Sequence, residues 1–180
     1  SELYGIWLQM ATHNCLVRMV EWCPSWYNTA MMKTVEGNLI ELAKAGQFDV
    51  IVQGCNCFCT MGKGIALTIK QEFPEAYVAD RKTAYADRSK LGTYSKAEAI
   101  GRALTVVNAY TQYDWRGQGV KADYDAIEAA FRRLKTEFTG KRIGYPLIGA
   151  GLAKGDWSRI SAIIDKELEG EDHTLVIFKP

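Results

Sequence analysis

The chain has 180 residues, enough for one domain at about 150 residues per domain, with roughly thirty over. Hydrophobic residues make up 48% and charged residues 24%, which supports a buried core and excludes a disordered chain. With 22 Lys and Arg against 21 Asp and Glu the net charge is +1, which excludes the single-signed field of a duplex-coating or polybasic membrane-binding protein, so nucleotide recognition must be local.

No apolar run reaches the roughly 18 residues of a transmembrane helix, and no membrane association is expected. The start also fails as a signal peptide, because Glu2 stands where a positive region belongs and Gln9 interrupts the apolar stretch. The five cysteines, Cys15, Cys23, Cys55, Cys57 and Cys59, are an odd number in a chain that needs no staples, which predicts reduced thiols and a cytoplasmic location.

Residues 1–30 carry Trp7, Trp22 and Trp26, three of the five tryptophans, without a clear helical or strand period. They read as an atypical aromatic-rich N-terminal extension of artificial origin, with a natural segment packing its aromatics on the domain as the alternative. Met31-Met32-Lys33 looks like a native start, and the domain is expected over 31–180.

Lys33 to Glu36 predicts a short strand, and Leu39, Ile40, Leu42 and Ala43 one face of a helix closed by Gly46. Phe48 to Gln53 reads as a buried strand. A Cys- and Gly-rich loop follows, Gly54 to Gly64, then a helix carrying Ile65, Ala66, Ile69 and Phe73 that Pro74 ends, and a second helix from about Glu75 to Tyr85. Tyr94 to Gly101 and Ala103 to Thr111 predict a hairpin turning near Ile100-Gly101-Arg102. Asp123 is placed to cap a long helix with Ile127, Ala130, Phe131 and Leu134 on one face, and Ile143 to Ile148 reads as another buried strand. A Gly-rich loop from Gly149 to Gly155 leads to Asp156, which is placed to cap a helix carrying Ile160, Ile163, Ile164 and Leu168, and Thr174 to Phe178 forms a last strand. Strands alternating with helices give an α/β fold with helices on both faces of a central sheet, and ligands then belong at the carboxyl ends of the strands.

Both Gly-rich loops sit at such ends. Glycines running directly into a helix start expose N–H groups whose dipole favours an anion. Neither a Gly-x-x-x-x-Gly-Lys-[Ser/Thr] loop nor a Gly-x-Gly-x-x-Gly fingerprint is present, so NTPase and dinucleotide readings fail. Two such loops at one sheet edge can grip the two halves of a pyrophosphate, whereas a tight turn needs only one. Cys55, Cys57 and Cys59 lack the paired spacing of a zinc site, and no metal or cofactor is expected.

The opening Val35-Glu36-Gly37-Asn38-Leu39, the stretch from Gln53-Gly54-Cys55-Asn56 to Met61-Gly62-Lys63-Gly64-Ile65-Ala66, and Pro146-Leu147-Ile148-Gly149-Ala150-Gly151-Leu152 before Asp156-Trp157 together resemble the macrodomain family. The resemblance covers residues 33–180 and implies a three-layer α/β/α fold with a central mixed sheet that binds ADP-ribose or a derivative. It points to the subgroup of ADP-ribose 1''-phosphate phosphatases and small de-ADP-ribosylating macrodomains; the Met-Gly-Lys-Gly-Ile-Ala stretch is also similar to antitoxin macrodomains acting on DNA. It further implies that Asn38 and Leu39 meet adenine, where many members carry Asp in place of Asn38, and that Phe178 packs on the same ring. Asn56 would lie beside the distal ribose. Gly62, Lys63, Gly64 and Ile65 would form one phosphate loop and Gly149, Ala150, Gly151, Leu152 and Ala153 the other.

The sequence departs from its relatives where they carry catalytic groups. Gln112 stands where antitoxin-like and glutamate-deacylating members have a lysine, and Ala153 where the latter have an aspartate. Gln53 holds the place of a histidine of phosphatase-like members, and the two histidines, His13 and His173, lie outside both loops. Asp156 remains as a base for an attacking water, with Lys63, Lys154 and loop amides stabilising the charge, and it is equally an ordinary helix cap. The expected activity is hydrolysis at the distal ribose by Asp156 and Asn56, with ADP-ribose 1''-phosphate the favoured substrate. A non-catalytic ADP-ribose reader, or removal of ADP-ribose from protein or DNA, are the alternatives. A monomer without an extended nucleic-acid surface is expected.

Overall fold

A computed structural model of the protein describes residues 31–179. The proposed extension, with its tryptophans, Cys15, Cys23 and His13, lies outside the described residues.

Among the described residues six strands form one sheet, β1 (Lys33–Gly37), β2 (Val50–Asn56), β3 (Tyr94–Glu98), β4 (Thr105–Gln112), β5 (Ile143–Tyr145) and β6 (His173–Phe178), in the order β1-β6-β5-β2-β4-β3. All neighbours are parallel except β3, which pairs antiparallel with β4 from Tyr94 opposite Ala109 to Glu98 opposite Thr105, the expected hairpin. Because successive strand residues face opposite sides, each central strand feeds two cores. Val50 and Val52 of β2, Val107 and Ala109 of β4 and Leu175 of β6 pack with Ile127, Phe131 and Leu134 of α4 (Tyr124–Phe138) and Ile160 and Ile164 of α5 (Trp157–Glu167). Ile51, Val106 and Val176 face the other way, onto Leu39 and Ile40 of α1 (Leu39–Lys44), Ile69 of α2 (Gly64–Glu72) and Ala76 of α3 (Pro74–Arg81). The result is a three-layer α/β/α sandwich around a mixed sheet.

Local chemistry explains the boundaries. Asn38, Asp123 and Asp156 each turn a side-chain oxygen onto a first-turn amide, of Ile40, Ala126 and Ser158 at 2.9 Å. Pro74 opens α3 at its first turn, where a missing N–H costs nothing, and ends α2. β5 stops at Tyr145, short of the expected Ile148, because Pro146 has no N–H for the ladder and Ile148 N turns back to Pro146 O. The second helix ends at Arg81 rather than Tyr85, and a short 3-10 turn, Arg88–Lys90, lies between it and β3. No helix among the described residues is long and apolar enough to cross a membrane.

Candidate functional site

The carboxyl ends of β2, β4, β5 and β6 open into one cavity of about 700 Å³. Its walls are the two glycine loops, Gly62 to Ala66 on one side and Gly149, Gly151, Leu152 and Ala153 on the other. The first loop runs into α2. Lys63 is the N-cap residue of that helix but makes no side-chain capping bond, unlike Asn38, Asp123 and Asp156, so the first-turn N–H groups are left for a ligand. The second loop folds back on itself through Gly155 N to Gly149 O at 2.8 Å. Gly149 sits at φ +73°, a left-handed conformation that glycine adopts at no steric cost, and a side chain there would also press on Ile160 Cδ1 at 3.0 Å.

One end of the cavity is built by a bulge between β2 and β4. Cys55 is opposite Tyr110, but Asn56 is opposite Gln112, so Thr111 is the extra residue and Asn56 and Gln112 stand side by side on the wall. The Asn56 amide holds the following turn: Nδ2 donates to Thr60 O at 3.2 Å and Oδ1 accepts from Phe58 N at 2.9 Å, with Thr60 Oγ1 2.9 Å from Nδ2. Beneath that turn, Lys90 Nζ donates to Cys57 O and approaches Cys59 Sγ, both at 3.2 Å, while Tyr110 Oη donates to Asp80 at 2.8 Å. Burial pushes the Asp80 carboxyl up from its ordinary value. Phe178 and Val176 of β6 line the end on the far side from β4.

The match to known proteins fits this architecture. The model of the Macro domain matches residues 52–164. The chain belongs to the Macro domain family. It is 32% identical over 157 residues to an uncharacterised 17.5 kDa protein of the tk-vs intergenic region of Enterobacteria phage T4, covering 83% of this chain and 98% of that one. It is 25% identical over 135 residues to the DNA ADP-ribosyl glycohydrolase of Mycobacterium tuberculosis, covering 73% of this chain and 38% of that protein, so the macrodomain spans well under half of the glycohydrolase. Thermosipho africanus DarTG, solved in complex with ADP-ribose, shares the fold with a TM-score of 0.63 at 18% identity, over 82% of this chain and 42% of that one.

The macrodomain cavity gathers Asn56, Gly62, Lys63, Gly64, Ile65, Gly149, Gly151, Leu152, Ala153 and Phe178 of the residues expected from sequence. Ala150 belongs to the second loop but is not on the lining. Leu39 is core, 3% exposed, and Asn38 is half-buried with its side-chain oxygen on Ile40 N; Gly37, the residue before it, is paired with Phe178 across β1 and β6. Gln53 faces the α2–α3 layer, fully buried, and donates to Asn108 Oδ1 at 2.8 Å. Strand alternation puts Gln53 and Asn56, three residues apart, on opposite sides of the sheet.

Asp156 is not brought into the cavity with the others. It is exposed, its carboxylate caps α5 at Ser158 N, its own N–H donates to Tyr124 Oη at 3.0 Å, and it is not a lining residue. Lys154 is likewise exposed and off the lining. Lys63 therefore carries the one charged side chain among the described lining residues, which include no carboxylate and no histidine. Cys55 lines the floor, but burial holds its thiol well above the ordinary range, so it is neutral and a poor nucleophile. Thr60, Thr111, Gln112 and Trp115 are lining residues that the sequence reading left out of the site. Trp115 carried a signal, an indole in a polar loop, and is 45% exposed at the rim. Among the described residues no group of three or more His, Cys, Asp or Glu could hold a metal ion.

Proposed function

We propose that the protein binds ADP-ribose in this cavity and hydrolyses a conjugate at C1'' of the distal ribose, releasing ADP-ribose. The observation that carries the reading is the pairing of two amide-rich loops on one cavity in which Lys63 is the only charged residue among the described lining. A diphosphate fits between the open first turn of α2 and the Gly149–Gly155 loop, with Phe178 against adenine and Asn56 and Gln112 at the distal ribose.

The lining also supports one kind of chemistry. With no carboxylate or histidine among the described lining residues to deprotonate water, attack on C1'' is left to a water held against the diphosphate. The water oxygen bonds to C1'', a diphosphate oxygen takes its proton, and the C–O or C–N bond breaks with its electron pair going to the departing group, which is protonated from solvent, while Asn56 orients the ribose. ADP-ribose 1''-phosphate, the substrate favoured from sequence, is joined at the same C1'' and is open to the same attack with phosphate as the leaving group, so it stands beside a macromolecular conjugate as a substrate. The same scarcity of titrating groups supports a second reading, a reader that binds and does not cleave.

Calorimetry with ADP-ribose and chromatographic detection of ADP-ribose released from modified DNA, modified protein and the 1''-phosphate test both. Binding with release from a macromolecular conjugate is expected, and Asn56→Ala is expected to lower turnover at least about tenfold through lost orientation. Tight binding with every substrate intact would leave the reader. Full turnover by Asn56→Ala would overturn the placement of the distal ribose.

A further inference from the structure

Beyond the cavity wall lies a second, open groove of about 590 Å³. The two share a backbone seam, Lys121 N to Ala153 O at 2.7 Å, with Ala153 on the cavity side and Lys121 on the groove side. They also share a corner, since Trp115 lines the cavity while Asp114 and Arg116 line the groove. A group attached at the Gln112 and Trp115 end of the cavity therefore leaves it beside this groove.

The groove carries four cations, Arg88, Arg116, Lys121 and Arg159. Arg116 is committed to Asp114 by a two-pronged ion pair, with bonds of 2.8 and 3.0 Å. Arg88, Lys121 and Arg159 make no ion pair among the described residues. Two of these are held over aromatic faces instead, Arg88 over Tyr113 at 3.8 Å and Arg159 over Tyr124 at 3.9 Å. Of the groove's carboxylates, Asp114 is paired with Arg116, while Asp123, which caps α4, and Asp125 make no ion pair among the described residues, so unpaired positive charge exceeds unpaired negative charge by one. At the shared corner the ring of Phe58 meets Tyr85, Tyr113 and Trp115 edge-on at 5.1 to 5.5 Å, and Tyr85 and Trp115 are 65% and 45% exposed.

We infer that this groove binds the phosphodiester backbone of a single polynucleotide strand carrying the ADP-ribosyl group, with Arg88, Lys121 and Arg159 as its phosphate contacts. The inference rests on the proposed activity and names the class of conjugate. The exposed rings of Tyr85 and Trp115 offer stacking faces to unpaired bases, which a duplex hides and an acidic peptide lacks. Three phosphate contacts are too few to coat a duplex, in keeping with the net charge of +1.

The test measures fluorescence anisotropy of an unmodified single-stranded DNA oligonucleotide, the RNA of the same sequence, the duplex DNA and a poly-glutamate peptide over a salt series, with ADP-ribose calorimetry in parallel. DNA or RNA single strands are expected to bind, with a slope of log K on log salt of about −2, from three contacts at about 0.7 each. The Arg88→Gln, Lys121→Gln, Arg159→Gln triple variant is expected to bind them about tenfold more weakly and to flatten that slope towards zero, with ADP-ribose affinity and thermal midpoint unchanged. Unchanged strand affinity and slope in the variant, preference for duplex, or equal binding of poly-glutamate would each overturn the inference. Strand binding without ADP-ribose binding would instead sink the proposed activity, and ADP-ribose binding without strand binding would sink the groove alone.

Discussion

Lys63 is where a single residue bears most on the proposed ligand. A diphosphate brings two negative charges into a cavity whose other lining residues are neutral, so the ammonium and the first-turn amides of α2 divide the task. Lys63→Gln keeps the loop and removes the charge. Calorimetry is expected to show about a tenfold loss of ADP-ribose affinity, the range of one charge-assisted hydrogen bond, shrinking at high salt. Unchanged affinity would mean the amides alone hold the diphosphate. Lys154 makes a different point. It sits at φ +55°, a conformation that costs a residue with a side chain about 1 kcal/mol, and its side chain is exposed. Lys154→Gly is expected to raise the thermal midpoint slightly with binding unchanged; a lower midpoint would show that chain entropy outweighs the relief of strain.

At the scale of elements, the Gly149–Gly155 loop holds its shape by excluding side chains. A Cβ on Gly155 would lie 2.7 Å from Ala122 Cβ and 2.8 Å from both Gly149 O and Ile160 Cδ1, so the backbone of the loop must move to admit it. Gly155→Ala is expected to cost about 1 to 3 kcal/mol by overpacking and to weaken ADP-ribose binding, read by thermal unfolding and calorimetry; a stable variant with full affinity would show that the loop shape is not what binds. Loops of this kind were legible in the sequence because glycines next to a helix start have few other uses, and the helices and the β3–β4 hairpin were legible from their periods. What escaped was side-chain direction. The two-residue period of β2 was sufficient to send Gln53 to the helix layer, but motif order suggested the cavity. Asp156 reads equally as cap and base, and the direction of its carboxylate, onto Ser158 N, is visible only in the structure. The bulge that aligns Gln112 with Asn56 depends on pairing between strands distant in sequence, for which one chain offers no local sign. Val176 had a sign in the period, lying two residues before Phe178 on the same strand face.

For the whole molecule, pH reaches stability through a histidine far from the cavity. His173 of β6 is 1% exposed; Tyr145 Oη of β5 is 2.7 Å from its Nδ1, and its Nε2 has no hydrogen-bond partner. Asp165 of α5 approaches Nε2 to 3.5 Å, Asp172 and Glu171 add negative charge, and Lys33 of β1 opposes them. Burial dominates and lowers the pKa below its ordinary 6.5. The folded protein then holds fewer protons here than the unfolded chain as pH falls below 6.5, so the contribution is fully present above that value and is lost on acidification towards the folded pKa. One proton limits the slope to about 1.4 kcal/mol per pH unit. Asp80, raised by burial, acts in the opposite sense, stabilising when protonated, and Asp49, held down to about 2 by its bond to Arg142, contributes stability that is full above 3.8 and is lost only as pH falls from 3.8 towards 2, below the interval considered. The wild-type midpoint is accordingly expected to be flat from pH 7.5 to 6.5 and to fall towards pH 5. His173→Gln isolates the cause, because it keeps a polar group against Tyr145 and cannot take up the proton. It is expected to start from a lower midpoint and to lose less of it over the same interval; Tyr145→Phe, which retains the imidazole, is expected to keep the wild-type slope. Parallel curves for His173→Gln and wild type would assign the acid sensitivity to groups other than His173.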